Sequence, residues 1–273
     1  FLVMWMQAGF ALVETGMTRA KNAVNICMKN LLDFSFGSLL FWICGFSIMF
    51  GGANAFWGGL GGMFLNTENE AFESLAWTNV PLDAKFFFQM GFAATTATIV
   101  SGAMAERTKF ISYMVYSIIV TALIYPISGH WIWGGGWLGA DWNFWDFAGS
   151  TTVHSCGGWL ALAGAIVLGP RLGKSDANGN AKAIPGHNIV LVTLGVLILW
   201  LGWFGFNPGS TMSADAGLIA SITVNTNAAA AMGAIAALFT SKVLFGKWEA
   251  TMALNGALAG LVSITCPCAW VTT

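Results

Sequence analysis

The charged residues of this chain leave seven stretches of at least twenty residues with no Asp, Glu, Lys or Arg: 34–67, 86–105, 110–140, 147–170, 183–214, 216–241 and 250–273. A helix of roughly 20 apolar residues crosses a hydrocarbon core, so each stretch can hold one span. Residues 1–18 make an eighth candidate, with Glu14 near one end. The stretches are continuously apolar, without the alternating segments of about ten residues that mark barrel strands. The expected class is an all-α membrane protein, a polytopic helical bundle.

Composition agrees. Of 273 residues, 11 are Lys or Arg and 12 are Asp or Glu, while 56% are hydrophobic. Disordered chains are poor in apolar residues and rich in charge, so disorder is excluded. A formal net charge of −1 leaves no basic field for phosphates, which excludes nucleic acid as a partner.

The basic residues give a sidedness. Arg19, Lys21 and Lys29 are read between spans one and two, and Arg107 and Lys109 between three and four. Arg171, Lys174 and Lys182 fall between five and six, Lys242 and Lys247 between seven and eight. Only Lys85 of the 11 basic residues lies in the opposite connections. Basic residues concentrate on the cytoplasmic side, so both ends of the eight-span chain are expected outside. The chain opens Phe1-Leu2-Val3 and stops at Thr273 just after a span, and no signal peptide is legible. It is read as a single membrane domain, 1–273, cut from a longer protein at both ends.

The soluble chemistry is sparse. Cys27, Cys44, Cys156, Cys266 and Cys268 are scattered, and Cys266-Pro267-Cys268 lacks the second pair a zinc site needs, so no metal or cofactor is expected. His187 follows Pro185-Gly186 at a loop end and reads as structural, and His130, beside Trp131 and Trp133, as an interface anchor. His154 differs because it lies inside the charge-free run 147–170. A polar group there is costly and marks a functional candidate. Span six ends in Trp203-Phe204-Gly205-Phe206-Asn207-Pro208-Gly209-Ser210, which by itself describes a capped helix end at the interface.

Together these segments resemble the ammonium transporter (Amt/Mep/Rh) family, closer to its bacterial-type Amt branch. The resemblance is carried by Gln7-Ala8-Gly9-Phe10-Ala11-Leu12-Val13-Glu14-Thr15-Gly16, Arg19-Ala20-Lys21-Asn22, Gln89-Met90-Gly91-Phe92, Gly102-Ala103-Met104-Ala105-Glu106-Arg107 and Trp133-Gly134-Gly135-Gly136. It continues through Asp146-Phe147-Ala148-Gly149-Ser150-Thr151-Thr152-Val153-His154 and Gly202 to Ser210, in order along nearly the whole chain. It implies the ammonium-transporter fold, with the eight spans here belonging to about eleven, and a homotrimer in the plasma membrane.

The resemblance also implies residue roles. An outer recruitment site maps onto Trp133, Phe92 and Ser210, with Trp131 an alternative to Trp133. Aromatic faces attract a small cation and a Ser oxygen accepts its N–H. Asp146 maps onto a structural acid that caps the start of span five. Phe92 and Phe206 map onto a gate of two phenyl rings, and His154 onto the first of two pore histidines. Such a gate resists hydrated cations, and burial favours the neutral amine. The implied function is an ammonium/ammonia channel or transporter: recruitment outside, deprotonation at the gate, and passage of ammonia past the histidine. The partners it implies are ammonium or ammonia, the bilayer and a PII-type regulatory protein. The alternative is an ammonium sensor domain coupled to a cytoplasmic signalling module. An enzyme is not expected, since Ser210 and His154 map to opposite sides of the gate and serine catalysis needs an adjacent base.

Overall fold

The computed structural model describes residues 1–272, and their regular structure is helical. Eight helical elements follow one another: α1 (Leu2–Met17), α2 (Ala20–Phe50), α3 (Leu82–Met104), α4 (Phe110–Ala140), α5 (Ser150–Leu168), α6 (Ile189–Thr211), α7 (Ala216–Phe245) and α8 (Ala250–Thr265). The six from α2 to α7 are long and apolar enough to cross a membrane, while α1 and α8 have 16 residues each. Their outer faces stay apolar: Val24, Ile111, Ile166, Val190 and Val243 are exposed. In water such faces would be costly, and in lipid they need no cover. The chain forms a multi-pass helical membrane protein.

The expected second span requires a correction. Its charge-free run begins at 34, yet α2 starts at Ala20 and carries Lys29 and Asp33 inside the helix. Lys29 therefore does not lie in a connection. Both side chains face protein: Asp33 accepts from Tyr113 Oη and Ser117 Oγ at 2.6 Å each, and Lys29 Nζ lies 4.5 Å from the Tyr113 ring centre. Charge inside a span is tolerated when it points into the bundle and is paired. The residues after Phe50 form a long loop with two short 3₁₀ turns, so α2 occupies only the first half of the run 34–67.

Packing follows the small residues. Along α7 and α8, Gly233 and Gly256 abut so closely that a Cβ on either would collide with the other's carbonyl oxygen. Helices without a hydrophobic force between them associate through such close backbone contact. The helix α1 lies along α6, with Met6 seated over Gly202 and Leu199 over Gly9, and α3 runs through the centre between α2 and α5.

The connections gather at two ends, as the charge sorting requires. At the basic end, Glu106 follows α3 in a left-handed conformation (φ 68). Its buried carboxylate takes the Arg19 backbone N–H at 2.6 Å and Arg19 Nε at 2.9 Å, and Arg171 approaches to 3.5 Å. Burial disfavours the charge, but these bonds outweigh it and hold the Glu106 carboxyl down at about 2. One residue thus joins three connections. At the opposite, acidic end, whose connections hold Glu68, Glu70, Glu73, Asp83, Asp141, Asp146 and Asp215, Trp137 N–H donates to Ala55 O and Trp131 Nε1 to Phe56 O, so the loops after α2 and within α4 lie together. His130 is not an interface anchor. It is buried, with its ring nitrogens 2.8 Å from Met49 O and Asn54 O.

Candidate functional site

The start of α5 sets the geometry. Residues Ser150–Ser155 wind as a π-helix, which places one extra residue in the turn and redirects the side chains that follow. Asp146 makes this possible. Its Oδ1 accepts from the N–H groups of Gly149 (2.9 Å) and Ser150 (3.0 Å), and its Oδ2 from those of Thr151 and Thr152 (2.8 Å each). A helix start leaves such donors unsatisfied, and one carboxylate here serves them all. Gly149 has φ 114, and a Cβ there would meet Val153 Cγ2 at 2.8 Å, so the turn into the π-helix needs glycine.

Asp146 also fixes an aromatic wall. Its backbone carbonyl accepts from Trp133 Nε1 at 2.6 Å, which orients the indole at the end of α4. Trp133 lies 6.0 Å from Phe92 of α3, ring centre to ring centre. A cavity of about 480 Å³ at the acidic end is lined by Trp133, Phe92, Asp146 and Ser210, with Phe88 and Gln89 of α3. Trp131 does not line it; that ring packs 5.9 Å from Trp137. Ser210 follows α6's bend at Pro208 and donates its hydroxyl to Phe206 O at 2.8 Å, leaving the oxygen lone pairs free to accept.

Phe92 and Phe206 close the inner side of this cavity. Their rings are fully buried and stack at 4.0 Å with 27° between planes. On the far side of Phe206, 5.3 Å from its ring, is His154. The imidazole is buried, lies nearly parallel to Trp203 at 5.0 Å, and has no hydrogen-bond partner at Nε2 among the described residues. Trp203 is held in turn by a 2.8 Å bond from its Nε1 to Thr265 Oγ1 of α8.

The structure therefore brings Trp133, Phe92, Ser210 and Asp146 around one cavity, stacks Phe206 on Phe92, and sets His154 beyond the pair. Sequence reasoning missed Phe88, Gln89 and Trp203 as neighbours of these groups. Their helical spacing from Phe92 and Phe206, four, three and three residues, was the available signal. Among the described residues no three His, Cys, Asp or Glu side chains converge as metal ligands, and the five cysteines are unpaired.

Apolar helices around a cleft lined largely by aromatic rings, with a buried phenyl pair at its inner side, define a polytopic helical membrane protein. The chain belongs to the ammonium transporter family: the profile described as Ammonium Transporter Family matches residues 1–273. It is 52% identical to Ammonium transporter Amt2 of Archaeoglobus fulgidus, over 99% of this chain and 58% of that protein. It is 40% identical to Ammonium transporter 1 member 3 of Solanum lycopersicum, over 99% of this chain and 61% of the relative. Among solved structures it resembles one titled Sensor Amt Protein, with a TM-score of 0.91 and 42% identity, covering 99% of this chain and 67% of that one. It also resembles Candida albicans Mep2, with a TM-score of 0.88 and 32% identity, covering 98% and 58%. The chain thus spans about three fifths of the curated relatives it matches.

Proposed function

We propose that the protein to which this chain belongs captures ammonium at the Trp133–Phe92–Ser210 cavity, strips its proton at the Phe92–Phe206 pair and passes ammonia by His154. The observation that carries this reading is the fully buried phenyl stack at 4.0 Å between a largely aromatic cavity that also carries Ser210 and an imidazole with no hydrogen-bond partner at Nε2 among the described residues. On the cavity side, the indole and phenyl faces attract a cation through their quadrupoles, and the Ser210 oxygen can accept one N–H. The site offers ammonium directional acceptance without a carboxylate, whereas Asp146 spends its oxygens on backbone N–H groups. Passing the stack requires desolvation, which costs a bare cation far more than a neutral molecule. The proton must pass at that step to water on the cavity side, so that neutral ammonia alone crosses the stack. Beyond it, Nε2 of His154 can give or accept a hydrogen bond to ammonia, depending on tautomer.

The same reading places the protein in the plasma membrane as a homotrimer, with the basic end in the cytoplasm and a PII-type protein as a candidate regulator. Ser210 and His154 do not form a nucleophile and base. The Ser210 hydroxyl is engaged by Phe206 O, and the phenyl pair stands between the two. A sensor reading is favoured by one specific observation, the 42% identity to a protein titled Sensor Amt Protein.

The test is methylammonium uptake and ammonium-evoked current by the full-length protein in proteoliposomes. His154→Ala is expected to reduce flux by roughly tenfold or more, corresponding to about 1.4 kcal/mol at the barrier. Unchanged flux and ion selectivity would remove His154 from the pathway. Saturable ammonium binding with no flux in the unaltered protein would favour the sensor.

A further inference from the structure

Lys85 is the single basic residue at the acidic end of a chain with 11. Its placement goes against three ordinary preferences. It occupies the first turn of α3, where the helix dipole disfavours a cation. It is buried, with 6% of its surface exposed. Among the described residues, no ion pair compensates it. Two carbonyl oxygens hold it instead: Nζ donates to Leu75 O at 2.6 Å and to Thr78 O at 2.8 Å.

Those carbonyls belong to the segment that precedes α3 and forms part of the cavity. Ser74, Leu75 and Trp77 line the same 480 Å³ space as Trp133 and Ser210. A second tie leads from this segment to the end of α6. The hydroxyl of Thr78 donates to Met212 O at 2.7 Å, two residues after Ser210. The backbone is left-handed at Phe72 (φ 50) and at Met212 (φ 45), conformations that non-glycine residues hold only when their surroundings impose them. Lys85, Gln89 and Phe92 recur at helical spacing, so one face of α3 carries both the clamp and the floor of the cavity.

We propose that Lys85 is a positioning residue for ammonium capture, its amine clamping residues 75–78 as the cavity wall that shares a space with Trp133 and Ser210. This inference rests on the reading of that cavity as the capture site. Through Thr78, the clamp also fixes the chain beside Ser210, so its loss loosens both the wall and the acceptor. The lysine touches no substrate. It acts by keeping the walls at the spacing a small cation needs, and it should be felt in capture more than in passage.

Saturation curves for methylammonium uptake by the full-length protein test this. Lys85→Met is expected to raise the half-saturating concentration by roughly three- to tenfold, with the maximal rate per folded protein changed less. Lys85→Arg keeps two donors aimed at the carbonyl pair and is expected to restore most of the affinity. Thr78→Val, which removes only the hydroxyl tie, should shift the half-saturating concentration in the same direction. Combined with Lys85→Met it should add less than its separate effect, because both act on one segment. An unchanged or lowered half-saturating concentration in Lys85→Met would overturn the proposal. If that variant does not fold, an unchanged value in Thr78→Val would do so. Trp133→Ala and Ser210→Ala separate the two readings. If they leave half-saturation untouched, the capture site itself is wrong, and if they raise it while the Lys85 and Thr78 variants do not, the clamp alone fails.

Discussion

A single carboxylate decides the local shape of the site. Asp146 accepts four backbone N–H groups from Gly149 to Thr152 and the Thr152 hydroxyl as well, while its carbonyl orients Trp133. Hydrogen bonds to a charged group contribute about 1.5–3 kcal/mol each, but they are not additive within one cluster. Asp146→Ala leaves the donors buried without partners and is expected to cost roughly 2–4 kcal/mol. Asp146→Asn keeps one acceptor atom but turns an N–H₂ toward two N–H groups, so it should retain more stability and still lose flux. Thermal unfolding of the purified full-length protein, read beside methylammonium uptake, checks both. An Asp146→Ala protein that melts and transports like the parent would refute this role. Part of it was legible in advance, since the family resemblance maps Asp146 onto a structural acid that caps the start of span five. The number of donors it serves was not, because that depends on the φ of 114 at Gly149, which no spacing rule supplies.

At the scale of elements, the long apolar helices were visible and their internal irregularities were not. Three π-helical turns interrupt them, at Phe41–Gly45, Val120–Ile124 and Ser150–Ser155. A π-turn inserts one residue without changing composition, so hydropathy passes over it while the face presented by every later residue rotates. His154 sits within one such turn, which is why its position in a charge-free run marked it as a functional candidate but did not show its stacking on Trp203. The start of α2 was misread for a related reason: charge was taken as a boundary, though both charged residues are buried within the bundle, Asp33 accepting from Tyr113 and Ser117 and Lys29 lying over the Tyr113 ring. That arrangement predicts its own energetics. Asp33 is the acceptor for two buried hydroxyls, and leaving a buried donor without a partner costs about 1–3 kcal/mol. Asp33→Leu should therefore lower the unfolding temperature clearly, and Asp33→Asn, which keeps an acceptor oxygen, should lose less. An Asp33→Leu protein that melts like the parent would refute this role.

For the whole molecule, charge acts as a coordinate along the membrane normal. Arg19, Glu106 and Arg171 come from three connections and meet at one end. Trp131, Trp137 and the loop after α2 meet at the other, which also carries the cavity. On the proposed sidedness, with the basic connections in the cytoplasm, the cavity at the end poor in basic residues faces outside and would take its cation from there. An inverted chain would present the same cavity to the interior and would serve export. The two orientations are separated by thiol labelling of the full-length protein in intact cells, in a Cys27→Ser background since Cys27 is exposed. Asn178 lies on the exposed loop between α5 and α6, and Trp142 is 74% exposed in the loop between α4 and α5. A membrane-impermeant maleimide should modify Trp142→Cys in intact cells and Asn178→Cys only after the membrane is opened. The opposite pattern would reverse the sidedness and, with it, the direction in which the Trp133 cavity meets its cation.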